Sequence, residues 1–461
     1  MSRRWQVLLI VCVGVFMASL DLFIVNIAFP DIGRDFSSAS FGSLSWILNG
    51  YAIVFAALLV PAGRWADALG RKRVFLAGMA VFTTASALCA AAPSLGFLVA
   101  ARILQAGGAA LMVPTSLGLL LPEFPPEKRA VAVGAWAAVG GVAAAAGPVL
   151  GGVLVQASWH WVFIVNIPIG VVALAAGTRV LSEVRDPASA RPDVLGAVLF
   201  AAGVGALVVA IVQGSDWGWE SGRVVGAFAS AAVLLAVVAR RCIIHPVPIV
   251  DPAIVKVRSF TMAVTGAAMF FVAFAAMLLG TVLFLTTVWH ESVLHAGLMI
   301  APGPASAAAF SVPGARLGAR YGQRAIGAIG ALLFATGGVL WLISLGDTPH
   351  YASEFLPGMI IGGMGVGFVN PTLTAAAAAS LPPERFATGA AVLTMGRQVG
   401  SALGVAILVP VLGTGTDAAA FKGAWEFMLV AAGFSAVALA AMGALPSLLP
   451  AKAAGQVEVA A

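Results

Sequence analysis

The chain has 461 residues, of which 61% are hydrophobic and only 10% are charged, and its formal net charge is +6. Soluble globular domains carry roughly 25% charged residues, so this composition excludes a soluble protein. A positive net charge in such a chain is interpreted as membrane topology and not as binding to nucleic acid. Cys12, Cys89 and Cys242 fall in apolar runs at unrelated spacings and predict neither a disulfide framework nor a metal site.

Apolar stretches of about 20 residues, long enough to cross a bilayer, recur along the whole chain. The first has a basic start, as signal peptides do, but no A-x-A-like cleavage site follows, so we expect a retained helix. Charged or Gly- and Pro-rich segments separate the stretches and define the predicted spans. These fourteen spans are 5–28, 44–63, 74–93, 97–121, 131–155, 161–181, 194–214, 223–243, 261–288, 297–315, 326–345, 355–377, 387–412 and 424–445.

The distribution of Lys and Arg predicts the orientation of these spans. With the N-terminus in the cytoplasm, the cytoplasmic segments hold 20 of the 25 basic residues and the outer segments hold 3. The other two, Arg102 and Arg397, lie within spans. This bias follows the positive-inside rule, and a wrong number of spans would destroy it. We therefore expect a multi-pass protein of the cell membrane, embedded in the lipid bilayer, with both termini cytoplasmic.

Asp21, in the first span, is the only acidic residue deep within a predicted span, because Glu426 lies near the outer start of the last one. A charge at membrane depth costs at least ~2.5 kcal/mol, so a partner is expected. At ~1.5 Å of rise per residue, Arg102 in the fourth span lies within roughly 5 Å of the height of Asp21. The two side chains can meet if the two helices adjoin. Such a pair either opens and closes with the protonation of Asp21 or is a static buried ion pair.

Arg397 is the other deeply placed charge, about ten residues into the thirteenth span. It either lines a cavity or donates hydrogen bonds to backbone carbonyls as a structural element. Together with Asn26, Gln105 and Asn370 it forms the set of candidate cavity residues.

Two loops of the first half recur in the second. PAGRWADALGRK (61–72) aligns with PGARLGARYGQR (313–324) at an offset of 252, and PPEKRA (125–130) aligns with PPERFA (382–387) at an offset of 257. Duplicated halves are common in secondary transporters, with the substrate site between them near the midplane. The predicted division is an N-terminal six-helix bundle (1–181), a linker with two additional transmembrane helices (182–259), a C-terminal six-helix bundle (260–445) and a cytoplasmic tail (446–461).

Four stretches carry recognisable motifs: LDLFIVNIAFP (20–30), GRWADALGRKR (63–73), RILQAGGAA (102–110) and GPVLGGVLVQASWHWVFIVNIPIG (147–170). In order and in placement on the spans they resemble the motifs of the major facilitator superfamily, and within it the fourteen-span drug:proton antiporters. The match is incomplete: Phe23 replaces a Thr of the first motif, and Trp65 and Ala68 depart from the second. In the repeated loop, Ala319 stands opposite Asp67, so the acid is absent there.

The resemblance implies roles for these residues. Arg102 would take part in proton coupling, and our hypothesis for Asp21 is a protonatable carboxylate that pairs with it. The loop would act as a cytoplasmic gate or latch through Gly63, Asp67, Gly70, Arg71 and Lys72. The fifth-span motif would mark an antiporter through Gly147, Pro148, Gly151 and Gly152.

The fold implied by the resemblance is all-α, with two six-helix bundles related by a pseudo-twofold repeat and two extra transmembrane helices between them. The implied function is secondary active efflux: proton-coupled antiport of lipophilic or cationic drugs by alternating access. We expect a monomer that acts on a small-molecule substrate and the proton, without cofactor, metal or nucleic acid. Since the sequence has neither a Walker motif nor a catalytic constellation, an ATP-driven pump or an enzyme is not expected. Two alternatives are an exporter dedicated to one endogenous metabolite, such as an antibiotic or siderophore, and a transporter-like sensor or lipid-handling scaffold.

Overall fold

The computed structural model describes residues 2–185, 192–382, 385–413 and 415–443. Within these residues, fourteen helices are long and apolar enough to cross a membrane, which confirms the predicted number. In chain order they are α1 Arg3–Asp35, α2 Phe41–Leu69, α3 Arg71–Ala90, α4 Leu95–Glu123, α5 Val131–Ala157, α6 Trp161–Val180, α7 Val194–Val212, α8 Gly222–Ile244, α9 Arg258–Val288, α10 Val293–Tyr321, α11 Gln323–Ser344, α12 Tyr351–Ala379, α13 Thr388–Leu412 and α14 Ala418–Ala440. The predicted tail and part of the predicted linker lie outside the described residues.

The predicted and observed helices differ mainly at their ends. α1 continues through Pro30 to Asp35, beyond the predicted end at residue 28. α10 is longer than the predicted span 297–315 because its Pro-rich stretch is still helical: one segment ends at Ile300 and the next begins at Pro302. Proline has no N–H to donate. In the first turn of a helix the backbone N–H groups have no partner within the helix, so a proline there costs no hydrogen bond.

Helix contacts repeat between the two halves of the chain. α1 packs on α5 as α9 packs on α13, and α3 packs on α4 as α11 packs on α12. The turns before α3 and α11 are built in the same way, because Gly70 and Gly322 both have a positive φ, 113° and 95°. Only glycine adopts this conformation readily. The fold is therefore the predicted pair of six-helix bundles related by a repeat.

The two bundles meet along two seams, α2 against α13 and α5 against α10. We call the side of the molecule where α1 begins the N-terminal side and the opposite one the far side. The α5–α10 seam is tight near the far side, where the start of α10 packs against the second half of α5.

The two extra helices pack on each other and lie over the α2–α13 seam. α7 contacts both α2 and α13, and α8 packs on α7. Val204 and Val208 of α7 belong to one apolar cluster with Ile53 of α2 and Ala406 of α13. An ion pair of 2.8 Å between Asp193 and Arg241 joins the start of α7 to the end of α8. The extra pair is thus fastened to both halves of the molecule.

Candidate functional site

A buried ion pair links α1 to α4. Arg102 Nη1 donates a hydrogen bond to Asp21 Oδ2, and both side chains are at most 1% exposed. The guanidinium also donates through Nε to the carbonyl of Ile47 on α2, at 3.2 Å. The structure thus brings together the two charges whose heights agree in the sequence, and a third helix helps to hold the cation.

Uncharged side chains extend this pair into a network. Gln105 Nε2 donates to Asp21 Oδ1 at 2.8 Å and to Ser86 Oγ at 2.9 Å, while Gln105 Oε1 accepts from Arg102 Nη1 at 2.6 Å. Asn166, at the turn within α6, donates to Ser86 Oγ at 3.1 Å. Gln105 was a candidate cavity residue, but its side chain lies fully buried inside this network. Both oxygens of Asp21 are therefore satisfied by protein donors.

Two aromatic rings complete the surroundings of the cation. The guanidinium of Arg102 lies 4.3 Å from the ring centroid of Tyr51 and 5.8 Å from that of Phe163. Ring faces carry negative potential, so these contacts stabilise the charge independently of the carboxylate. Sequence reasoning missed Ser86, Tyr51 and Asn166. The available signal was depth, since Ser86 lies one turn before the far end of α3, at the level of Gln105.

The opposite face of α1 borders the space between the bundles. Phe23 and Asn26 are partly exposed, whereas Asp21 is buried. Phe23 makes an edge-to-face contact with Phe274 of α9, with ring centroids 6.5 Å apart. The amide of Asn26 donates to the carbonyl of Leu22 at 2.7 Å. One helix therefore carries the buried carboxylate on one face and residues that meet the C-terminal bundle on the other.

The small residues of α5 allow two close helix contacts. A Cβ on Gly147 would lie 2.5 Å from Phe23 Cβ on α1, and a Cβ on Gly152 would lie 2.8 Å from Leu294 Cα on α10. Gly151 faces Ile24 and Ile27 of α1, and the carbonyl of Pro148 occupies the place where a side chain at Gly297 would project. These glycines let helices approach closely, as small residues do in membrane bundles.

The N-terminal half of α5 is packed differently. At Gly134 and Gly141, no atom lies within 4 Å of where a Cβ would be. In the described part of the chain, α5 therefore packs tightly against α10 toward the far side, whereas these two positions on the N-terminal side face space that no described atom fills.

The loop between α2 and α3 is held within the N-terminal bundle. Arg71 Nε donates to Asp67 Oδ1 at 3.0 Å, and Arg71 Nη1 donates to the carbonyl of Gly118 near the end of α4 at 2.8 Å. Lys72 Nζ donates to the carbonyl of Thr178 on α6 at 2.8 Å. Gly63 lies one helical turn before Asp67 and close to α4, since a Cβ there would be 3.9 Å from Pro114 Cβ.

Arg397 on α13 has a sparse environment. Its Nη2 lies 3.3 Å from Thr374 Oγ1 on α12, and its guanidinium lies 5.3 Å from the ring centroid of Phe271 on α9. Its Nε is buried without a hydrogen-bond partner in the described residues, and so is Asn370 Oδ1. The observed partner is thus a hydroxyl and not a backbone carbonyl.

Comparison with known proteins adds the family context. A family model described as Major Facilitator Superfamily matches residues 11–405 and, in a second match, 265–458. The Methylenomycin A resistance protein of Bacillus subtilis (strain 168) is 33% identical over 448 residues, covering 95% of this chain and 94% of the relative. The Multidrug resistance protein Stp of Mycobacterium tuberculosis (strain ATCC 25618 / H37Rv) is 34% identical over 418 residues, covering 89% and 76%.

A third relative and one solved structure complete the comparison. The Tetracenomycin C resistance and export protein of Streptomyces glaucescens is 32% identical over 421 residues, covering 88% of this chain and 76% of the relative. The crystal structure of a bacterial homologue of the human lysosomal transporter Spinster, inward-facing and unoccupied, aligns with a TM-score of 0.67. That alignment covers 96% of this chain and 98% of the other at 17% identity, so it supports the fold alone.

Proposed function

Because this chain belongs to the Major Facilitator Superfamily, we propose that it exports drugs or other toxic small molecules by proton-coupled antiport through alternating access. It is a transporter and not an enzyme. Support for the direction of transport comes from relatives named for resistance or export, at 32–34% identity over most of both chains. The proposed substrates are lipophilic or cationic compounds, with the proton as the coupling ion.

The buried Asp21–Arg102 pair is the observation that carries this proposal. A carboxylate can be neutralised in a low-dielectric interior either by a cation or by a proton. When Asp21 takes up a proton, Arg102 keeps the carbonyl of Ile47, the amide oxygen of Gln105 and the two aromatic faces. The cation thus retains partners after the ion pair is lost. Protonation of one carboxyl can therefore change how α1 is held against α4.

The packing of α5 supports a specific conformational assignment. The contact with α10 is tight toward the far side, whereas Gly134 and Gly141 face unfilled space. We propose that the N-terminal side is cytoplasmic, so that this conformation is open toward the cell interior. In this conformation the described hydrogen bonds of Asp67 and Arg71 stay within the N-terminal bundle. The latch function of this loop is proposed for the outward-open state.

The domain boundaries are part of the same proposal. The moving bodies are residues 1–181 and 260–445, residues 182–259 form the linker with the extra helix pair, and 446–461 form a cytoplasmic tail. Both termini are placed in the cytoplasm, in the cell membrane, and the transporter is proposed to work as a monomer.

Replacing Asp21 by Asn tests the coupling. In proteoliposomes with an imposed pH gradient, Asp21→Asn is expected to abolish gradient-driven transport of a cationic dye and of a neutral drug. Exchange of labelled for unlabelled dye without a gradient is expected to continue, since it needs no net proton movement. Asp31→Asn, the same change ten residues further along α1, is the matched control and is expected to keep gradient-driven transport. Undiminished gradient-driven transport by Asp21→Asn would overturn the proposal.

A dedicated exporter of one endogenous metabolite is the second candidate. It is favoured by relatives named for single compounds, including the Probable actinorhodin transporter of Streptomyces coelicolor at 33% identity. Growth inhibition by a panel of unrelated toxicants separates the two functions. Protection against many of them supports multidrug efflux, whereas protection against one chemical type supports the dedicated exporter.

A further inference from the structure

The guanidinium of Arg397 is a cation without a counter-ion in the described residues. Its only hydrogen bond there goes to Thr374 Oγ1 at 3.3 Å, and its Nε is buried without a partner. An arginine has five N–H donors and cannot be deprotonated in proteins. A charge at membrane depth is costly, and such residues usually face a cavity or pair with another group. The protein thus leaves most of the binding capacity of this side chain unused.

The surroundings of Arg397 open toward the space between the bundles. Thr374 is exposed although it lies within the membrane-spanning helix α12. Phe271, under the guanidinium, contacts Phe274 at 5.6 Å between ring centroids, and Phe274 in turn contacts Phe23 of the N-terminal bundle. Arg397 lies about nine residues into α13, or ~14 Å along the helix, close to the middle of the membrane. The cation is therefore next to the interior surface at which the two halves face each other.

Further polar and apolar groups surround the same point. The Oδ1 of Asn370 is buried without a hydrogen-bond partner in the described residues. Asn370 lies one helical turn before Thr374, whose hydroxyl donates to the Asn370 carbonyl at 3.0 Å. Phe271 and Phe274 supply aromatic faces beside these groups. A planar guanidinium with free N–H groups binds a carboxylate in a two-point geometry, and the amide of Asn370 can bind a neighbouring polar group.

We propose that Arg397 is the binding site for an acidic group of the exported compound, a carboxylate or an equally acidic substituent on an aromatic molecule. The inference rests on the proposed function and adds acidic aromatic compounds to the substrates. Arg397 supplies the charge, Thr374 positions its guanidinium, Asn370 offers a further hydrogen bond, and Phe271 provides an apolar surface for the ring. The carboxylate would give Arg397 the counter-ion that the described residues lack.

The experiment compares acids with their own esters. Binding to purified protein in nanodiscs is measured for rhodamine 110 against rhodamine 123, its methyl ester, and for 2-naphthoate against methyl 2-naphthoate. In wild type, at least one acid is expected to bind about tenfold more tightly than its ester, which corresponds to about 1.4 kcal/mol. Arg397→Gln is expected to remove this preference while ester binding stays the same, and Arg397→Lys to keep part of it. Lys422→Gln, which removes an exposed cation of α14, is the matched control and is expected to keep the full preference.

A second variant covers the case that Arg397→Gln does not fold. Thr374→Val removes only the hydroxyl beside the guanidinium and is expected to weaken acid binding severalfold without affecting the ester. The proposal is overturned if neither acid binds wild type more tightly than its ester, or if the preference survives in Arg397→Gln or, where that variant does not fold, in Thr374→Val. Because binding is measured without a gradient, it is independent of the Asp21→Asn transport assay. Failure of proton coupling and failure of acid recognition therefore give different results.

Discussion

The two bundles surround their membrane-embedded arginines in opposite ways. In the N-terminal bundle, Arg102 is surrounded by a carboxylate, an amide, a backbone carbonyl and two rings. In the C-terminal bundle, Arg397 has one hydroxyl and one ring. The two arginines are not equivalent in the repeat, since Arg102 lies on α4 and Arg397 on α13, the counterpart of α5. The contrast is between their surroundings within two bundles whose helices pack alike. The N-terminal bundle thus contains an ion pair between two of its own residues, whereas the C-terminal bundle contains a guanidinium with N–H donors that the described residues leave unused.

The two halves of the repeat therefore share their helix packing but not their polar side chains. The offset of 257 that aligns Pro114 with Pro371 places Met359 opposite Arg102 and Gly362 opposite Gln105. Met359 is buried and apolar, so the second bundle has no equivalent of the charged network at that position. The two proposed sites therefore lie in different bundles: the proton site in the N-terminal bundle and the site for an acidic group in the C-terminal bundle.

The largest effect is expected from Arg102→Gln, which leaves Asp21 buried without its cation. Removing one partner of a buried ion pair typically costs 3–5 kcal/mol, so the thermal midpoint in detergent is expected to fall sharply or folded protein to be lost. The double variant Asp21→Asn with Arg102→Gln removes both charges and is expected to regain most of the stability but no gradient-driven transport. A double variant as unstable as the single one would show that the pair is not what stabilises this region.

A much smaller stability change is expected from Arg397→Gln, because the described residues give this cation no carboxylate to leave unpaired. One long hydrogen bond and one ring contact are lost, so the change should stay within about 1 kcal/mol. The thermal midpoint of the apo protein, measured beside that of Arg102→Gln, checks this. A loss equal to that of Arg102→Gln would erase the contrast between the bundles and favour a structural role for Arg397.

The smallest effect is expected from Asp67→Ala, which makes the first loop resemble the second, where Ala319 already stands. The Asp67–Arg71 pair is about 30% exposed on both sides, and such pairs contribute about 0.2–1 kcal/mol. Arg71 keeps its bond to the carbonyl of Gly118. Ala319→Asp is the reciprocal control and should add no stability, because Gln323 stands where the first loop has Arg71. Thermal midpoints of both variants test this.

The repeat was accessible from the sequence because its loops share residues. The spans and the pairing of Asp21 with Arg102 were accessible because both depend on position along the membrane normal. Hydropathy and helical rise give that coordinate directly. Ser86, Tyr51 and Asn166 were missed because sharing a depth does not reveal which face of a helix points to which neighbour. Gln105 was placed on a cavity wall for the same reason. Whether Arg397 has partners depends on the packing of α9, α12 and α13, which depth alone does not determine.

The position of α7 has a consequence for compounds already dissolved in the membrane. α7 covers the α2–α13 seam toward the far side. At the N-terminal side, a cavity of about 340 Å³ lies beside Val60 of α2 and Thr388 of α13. Residues that follow α8, including Pro246 and Pro252, border this cavity. The bilayer is thereby kept from one of the two contacts between the bundles. The extra helices leave the seam between α5 and α10 uncovered, so we expect hydrophobic molecules from the bilayer to reach the junction of the two halves there.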